Sequence, residues 1–347
     1  MCILFLGKIV LNRKSCRVLF ILIVLFLFGC HKIDNNINTS CHNFAIYLLK
    51  DPNIKINDIL SYELVNQDSQ ALAKIELQQN AWLSDNDIQM YDFSCHLLYL
   101  KRSKYTFLPM PVQLDVPSSW YDRPFMVVAN GLRRYLGCFK GMFAESFWPV
   151  PVIDCSYNFL YPEDLLVISW EWFNHNETDN RNDAFVKDAL NRAGILHNGL
   201  NLRLRNIGIP ENSDTATVEY TFTLINNDVD NLYVLDPDNM GSELFHFYNI
   251  GPQFVKSDEL GVRTASLKKP FLPQQSDTLN LNWFIKINSG DSITRFVSLR
   301  GYPFFPSGDY ECETTYDCIR IPKIRRTLND GRFWIGPTKS KLIDIQF

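Results

Sequence analysis

Between Thr217 and Leu224 apolar and polar residues alternate strictly, with Val218, Tyr220, Phe222 and Leu224 on one side and Thr217, Glu219, Thr221 and Thr223 on the other. A period of two suits a half-buried strand, since helix faces repeat every 3.6 residues. Leu279 to Ile287 shows the same alternation and predicts a strand with Leu279, Leu281, Trp283, Ile285 and Ile287 inward. Lys341 to Phe347 repeats it with Ile343, Ile345 and Phe347. Such strands, with Gly and Pro turns between them, predict a two-sheet sandwich over residues 196–347.

Residues 44–173 carry short apolar runs broken by turn residues and read as a β-rich domain. His96 to Lys101 and Pro124 to Ala129 are predicted strands, and Leu165 to Phe173 closes the region. Asn130-Gly131, followed by Leu132 to Leu136, marks a hairpin, because both central positions of a type I′ turn need positive φ. The segments Asn57 to Glu63 and Asn86 to Asp92 share an NDIxxY[DE] pattern, too short to define a repeat. Residues 174–182 contain no apolar side chain and mark a boundary. Phe185, Val186, Ala189, Leu190 and Ala193 then fall at helical spacing before Gly194, predicting a short helix in a linker over 174–195. The expected fold class is mainly β: two β-rich domains joined by that helix.

Val18 to Phe28 is a run of 11 apolar residues, preceded by Lys8, Arg13, Lys14 and Arg17. A spanning helix needs roughly 20 apolar residues, so residues 1–29 read as a signal peptide. The run ends in Leu27-Phe28-Gly29-Cys30, which resembles the lipobox of bacterial lipoproteins, with Phe28 where a smaller residue is usual. The resemblance implies that Cys30 becomes an acylated mature N-terminus, with palmitate among its chains, followed by a polar tether over 30–43. It places the protein in the bacterial cell envelope, lipid-anchored at the outer membrane. A plain secreted protein or a single N-terminal anchor are the alternatives.

Removing residues 1–29 leaves 30 Lys and Arg against 38 Asp and Glu, a charge of −8. That balance argues against nucleic acid as a partner. Six cysteines remain beyond Cys30: Cys41, Cys95, Cys138, Cys155, Cys312 and Cys318. Cys312 and Cys318 flank a short loop and form a candidate disulfide; the pairing of the other four stays open, as does the alternative of buried free thiols.

Pro306-Ser307-Gly308-Asp309-Tyr310-Glu311-Cys312 looks like the tyrosine corner of immunoglobulin-like domains, which gives Tyr310 a structural role. The stretch from Leu272-Pro273 through the Trp283 strand to Tyr310 is also similar to the bacterial intracellular proteinase inhibitor family. That likeness implies an immunoglobulin-like sandwich for residues 196–347 and, more remotely, inhibition of a proteinase.

Sequence motifs for catalysis are missing: the chain has no GxSxG, HExxH, GxGxxG or P-loop. Asp236-Pro237-Asp238-Asn239-Met240-Gly241 resembles the start of a calcium loop, but Met240 and Phe247 stand where oxygen ligands belong, so an EF-hand is rejected. A looser calcium site drawing on Asn227, Asp228 and Asp230 is an alternative to a solvated turn. Trp120, Trp148, Trp170, Trp172 and Trp334 are either core residues or platforms for sugar rings. These features predict a non-catalytic binding, adhesion or assembly module with no cofactor and no metal, whose partner is an envelope protein or glycan. A hydrolase of envelope or nutrient polymers is the alternative, and a proteinase inhibitor the second.

Overall fold

The computed structural model describes residues 42–108, 118–141, 148–158, 161–170, 179–209, 216–249, 251–257, 263–266, 280–302, 308–318, 327–328, 330–341 and 343–346. Residues 1–29, read above as a signal peptide, and Cys30 and Cys41 lie outside them. The fold is mainly β. Among the described residues no helix is long and apolar enough to cross a membrane.

β1 (Phe44–Leu48) is apolar at every position and buried along its whole length. Helices α1 (Ile56–Ile59), α2 (Tyr62–Val65) and α3 (Ser69–Ala73) follow, then strands β2 (Leu83–Ser84), β3 (Ile88–Asp92), β4 (Leu97–Leu100), β5 (Pro124–Ala129), β6 (Leu132–Lys140) and β7 (Val152–Asp154). α4 (Cys155–Asn158), β8 (Leu165–Val167), α5 (Ala184–Arg192) and β9 (Leu196–His197) complete this half. Two sheets result, ordered β2-β1-β5-β6-β7 and β8-β4-β3-β9. The β5–β6 hairpin turns at Asn130 and Gly131, whose φ values of 50° and 77° are those the Asn-Gly pair predicts.

The first sheet is covered on both faces. One face packs Phe44, Ile46, Phe125 and Val127 against Leu98, Leu100 and Leu166 of the second sheet and Val186, Ala189 and Leu190 of α5. The other face sends Ala45, Tyr47, Met126 and Val128 under Ile56, Leu64 and Leu72 of α1 to α3. Burial on both faces requires an unbroken apolar strand, so β1 and β5 show no alternation.

α5 starts where Asp183 accepts hydrogen bonds from the Phe185 and Val186 amides and stops before Gly194 at φ 70°. The helix exists where the periodicity places it, but it is a core element and not a spacer, because Val186, Ala189 and Leu190 are fully buried. The two NDIxxY[DE] segments have unrelated structures, the first in α1 and α2 and the second in β3.

The second half contains β10 (Leu200–Gly208), β11 (Ala216–Asn226), β12 (Leu232–Leu235), α6 (Pro237–Met240), α7 (Ser242–Tyr248), β13 (Gln253–Ser257), β14 (Arg263–Ser266), β15 (Phe284–Ile287) and β16 (Ser292–Tyr302). β17 (Asp309–Glu313), β18 (Thr315–Asp317), β19 (Thr327–Leu328), β20 (Gly331–Phe333), β21 (Pro337–Lys339) and β22 (Ile343–Gln346) follow. The strands form sheets β10-β11-β16, β15-β12-β20-β19 and β14-β13-β17-β22 with a β18-β21 ribbon, where two larger sheets were expected. They share one core, which also takes in Met90, Leu97, Tyr99, Leu165 and Val167 from the far face of the second sheet. Cys41–Phe347 accordingly forms one compact unit.

β11 buries Val218, Tyr220, Phe222 and Leu224, as its alternation predicts. The Trp283 strand differs. Leu281–Trp283 is a 3-10 turn capped by the Asn280 side chain, which accepts from the Asn282 amide. The turn leaves Leu281 62% exposed and brings Phe284 and Ile287 inward in β15. A period-two pattern is lost as soon as an Asn cap offers the backbone a competing turn.

His96, at φ 53° between β3 and β4, is buried, and its Nδ1 lies 3.2 Å from the Tyr91 hydroxyl. Burial first, then the Arg181 guanidinium, lowers its pKa to about 3. Above pH ~6.5 the ring is neutral in folded and unfolded chains alike; below that only the unfolded chain takes the proton. The native state should therefore lose stability on acidification by roughly 2 kcal/mol between pH 7.5 and 5 through this residue. His96→Asn, which tolerates the left-handed backbone, should flatten the pH dependence of urea unfolding over that interval by a similar amount.

Candidate binding groove and the buried charge cluster

Three very short helices crowd the end of β1 because the chain supplies a cap for each turn. Ser61 accepts from the Leu64 amide at 3.4 Å and starts α2; Asp68 accepts from the Ala71 amide at 2.7 Å and starts α3. Their apolar sides pack on the first sheet but do not close over it. The space left is a groove of about 990 Å³, within the range of small-ligand sites.

Leu49, Ile54, Ile59, Leu64, Ala71 and Ile75 contribute its apolar lining. Charges surround them: the lining also includes the carboxylates of Asp51, Glu63, Asp68 and Glu76 and the amines of Lys50 and Lys74. Lys50 is bonded to Glu76 at 2.8 Å in the open, which raises the lysine pKa and lowers that of the acid. Glu63 is also lowered, by its own backbone amide and by Ser61. With two carboxylates in excess, the rim favours a cation beside an apolar group.

A second constellation lies between the halves. Arg332 of β20 is buried, and its Nη2 donates to Asp92 Oδ2 of β3 at 2.7 Å and to Asp228 Oδ2 at 2.8 Å. Asp228 Oδ1 lies 2.8 Å from His197 Nδ1 and accepts from the Asp230 amide, while Oδ2 also takes the Gly199 amide. Asp92 Oδ1 accepts from the Ser94 amide and hydroxyl. Burial alone would lower the arginine pKa and raise that of Asp228. The opposite charges, with the His197 bond, reverse both, so Arg332 is held up and Asp228 well below the carboxylate range. Gly199, at φ 65°, has to be glycine: a Cβ there would come within 2.1 Å of Asp92 Oδ1 and 2.2 Å of Ser94 Oγ.

His197, Asp228 and Asp230 come close enough to hold a metal ion. Their geometry fits an ion-pair network better. Asp228 is already neutralised by Arg332 and His197, and the Arg332 Nε lies 3.7 Å from Asp230, so a metal would face a buried guanidinium. Among the described residues no hydroxyl or thiol is bonded to His197.

The looser calcium site expected from Asp228, Asp230 and the Asp236 loop is not assembled. Asp236 caps α6, and both Asp236 and Asp238 bind Arg295, at 2.6 and 2.9 Å. Cys312 and Cys318 are buried free thiols, not a disulfide: Cys312 sits inside β17, paired with Phe254 and Ile343, and Cys318 follows β18 of a separate ribbon. Burial first pushes the Cys312 thiol up to about 12. Tyr310 is buried in β17 against Ile345, with Lys256 over its ring. Trp334 is fully buried, Trp120 packs on Trp82 and Phe139, and Trp148 donates to Asp122, so these three serve the core. Trp170 is half-buried, and Trp172 lies outside the described residues.

The groove helices and the Arg332 cluster were missed in the sequence. Ser61 and Asp68, each three residues before an amide they cap, are the signal that marks the helices. For Arg332, Asp92 and His197 no local signal exists, since they meet only through tertiary pairing.

No family model matches the chain, and no curated protein matches it.

Arg332→Met should cost roughly 3–5 kcal/mol in urea unfolding, because it strands two buried carboxylates. Adding Asp92→Asn and Asp228→Asn should recover much of that loss. In the wild type, the contribution of Asp228 is complete above the ordinary carboxylate range and falls away as pH drops below about 4. A loss under about 1 kcal/mol for Arg332→Met would mean that the cluster is solvated.

Proposed function

We propose that this protein is a lipid-anchored component of the bacterial outer membrane that acts as a non-catalytic binding module. The groove beside β1 is its binding site. The observation that carries the reading is the groove's composition: an apolar floor continuous with the core, ringed by a surplus of carboxylates. Such a site suits a peptide segment of an envelope protein that presents aliphatic side chains next to lysine or arginine. Aliphatic groups would enter between Ile59, Ile75 and Leu49 and leave water, at about 25 cal/mol per Å² of apolar surface. The basic residues would meet Asp51 and Glu63, which are both exposed.

The anchor supports the location. Its short apolar run followed by Gly29-Cys30 resembles a lipobox, and more than one acyl chain on Cys30 would hold the protein stably at a membrane.

Two measurements test this reading. Labelled palmitate should enter the wild type and be lost in Cys30→Ala; equal labelling of both would remove the anchor. A fluorescent peptide of alternating leucine and lysine should bind the mature protein, and Ile59→Arg should weaken it by roughly tenfold or more. Equal binding of a serine–glutamate peptide would rule out the groove as a selective site.

A further inference from the structure

The sheet β10-β11-β16 buries only one face. Its pairing places Arg203, Thr223 and Thr294 in one cross-strand row, and Arg205, Thr221 and Phe296 in the next. Both arginines and Thr294 are exposed, and Phe296 is 58% exposed. Among the described residues neither guanidinium has an ion pair, although the mature chain carries an excess of eight negative charges. The Thr223 and Thr294 hydroxyls are 2.9 Å apart, with Thr223 itself buried, and Glu219 stands one row beyond Thr221 on the same face, where it accepts from the Ser298 hydroxyl at 3.5 Å.

Strand geometry sets the spacing. Arg203 and Arg205 lie about 7 Å apart along β10, and Arg205 lies about 10 Å from Phe296 across two strands. The face is thus an open strip with two cations along β10, Phe296 and Thr294 along β16, and the half-buried Thr221 and buried Thr223 between them.

We propose that this outer face binds an acidic polysaccharide, with Arg203 and Arg205 pairing successive carboxylates and Phe296 supporting a sugar ring. Charge complementarity favours an anionic ligand, and guanidinium forks match carboxylates two bonds at a time. The open sheet face and its aromatic ring favour linked sugars over an acidic peptide, which would use the strand edge or a pocket. The proposal is independent of the groove.

The test uses the mature wild-type protein with polygalacturonate, a neutral glucan of similar length and polyglutamate, each followed by calorimetry at low and moderate salt. Polygalacturonate should bind, weaken as salt rises and outcompete the other two. Arg203→Gln with Arg205→Gln should lower affinity roughly tenfold or more. Phe296→Ala should lower affinity for the glycan but not the residual binding of polyglutamate. Ile59→Arg should leave glycan binding unchanged, which separates this face from the groove. Arg203, Arg205 and Phe296 are exposed, so the thermal midpoint of their variants should hold and serve as the folding control. The proposal is overturned if polygalacturonate does not bind, if the double variant binds as the wild type does, or if polyglutamate or anionic vesicles bind equally well through the same arginines.

Discussion

A single guanidinium holds the two halves of this protein to one arrangement. Arg332, buried on β20, faces Asp92 from β3 and Asp228 from the loop after β11. Removing three charges from water is expensive, and their mutual attraction offsets that cost only when the geometry is good and the remaining lone pairs are satisfied. The carboxylates meet that condition, since Ser94 serves Asp92, and Gly199, Asp230 and His197 serve Asp228, while among the described residues the buried Arg332 Nε has no hydrogen-bond partner. Apolar packing across the same boundary is non-directional and would accept many relative positions of the sheets. The ion network accepts few, so it specifies register where hydrophobic burial supplies most of the stability. The close approach at Gly199 is part of the same constraint, because a side chain there would push Asp92 and Ser94 off their partners.

How much of this could be read in advance depends on how many faces of each element are wet. β11 and β22 each have one wet face, and their alternation was legible residue by residue. The Asn130-Gly131 hairpin and α5 were legible for the same reason: a turn with positive φ and a helix with one apolar stripe have local signatures. β1 and β5 are covered on both faces, so their sequences are continuous apolar runs that carry no phase. The strand through Trp283 misled because Asn280 diverts it into a turn before alternation can act. Domain structure was hidden in a different way. The polar stretch at 174–182 looks like a linker, yet Leu97, Tyr99 and Val167 before it and Val218, Phe222 and Val234 after it share one core.

The groove and the flat sheet face were illegible for a common reason. A groove is a place where packing stops, and nothing in the apolar spacing of residues 49–76 distinguishes a closed contact from an open one. The basic strip needs β10 and β16 to lie on opposite sides of β11, a fact of register and not of composition. The two surfaces differ in charge: the groove is rich in carboxylates, whereas the strip carries two arginines within an acidic protein.

Free thiols sit least easily with the proposed export, since oxidising compartments favour disulfides. Burial resolves the conflict. Oxidation and exchange proceed through the thiolate, which must be both populated and reachable. Cys312 is closed off inside a strand and pushed up to about 12, by burial first and then by Glu313. Cys95 and Cys318 are buried, and desolvation drives both thiols upward as well. At neutral pH such groups are protonated and enclosed, and they behave as small apolar side chains. The core that unites the halves therefore also protects its own sulfur, so that among the described residues stability follows from packing.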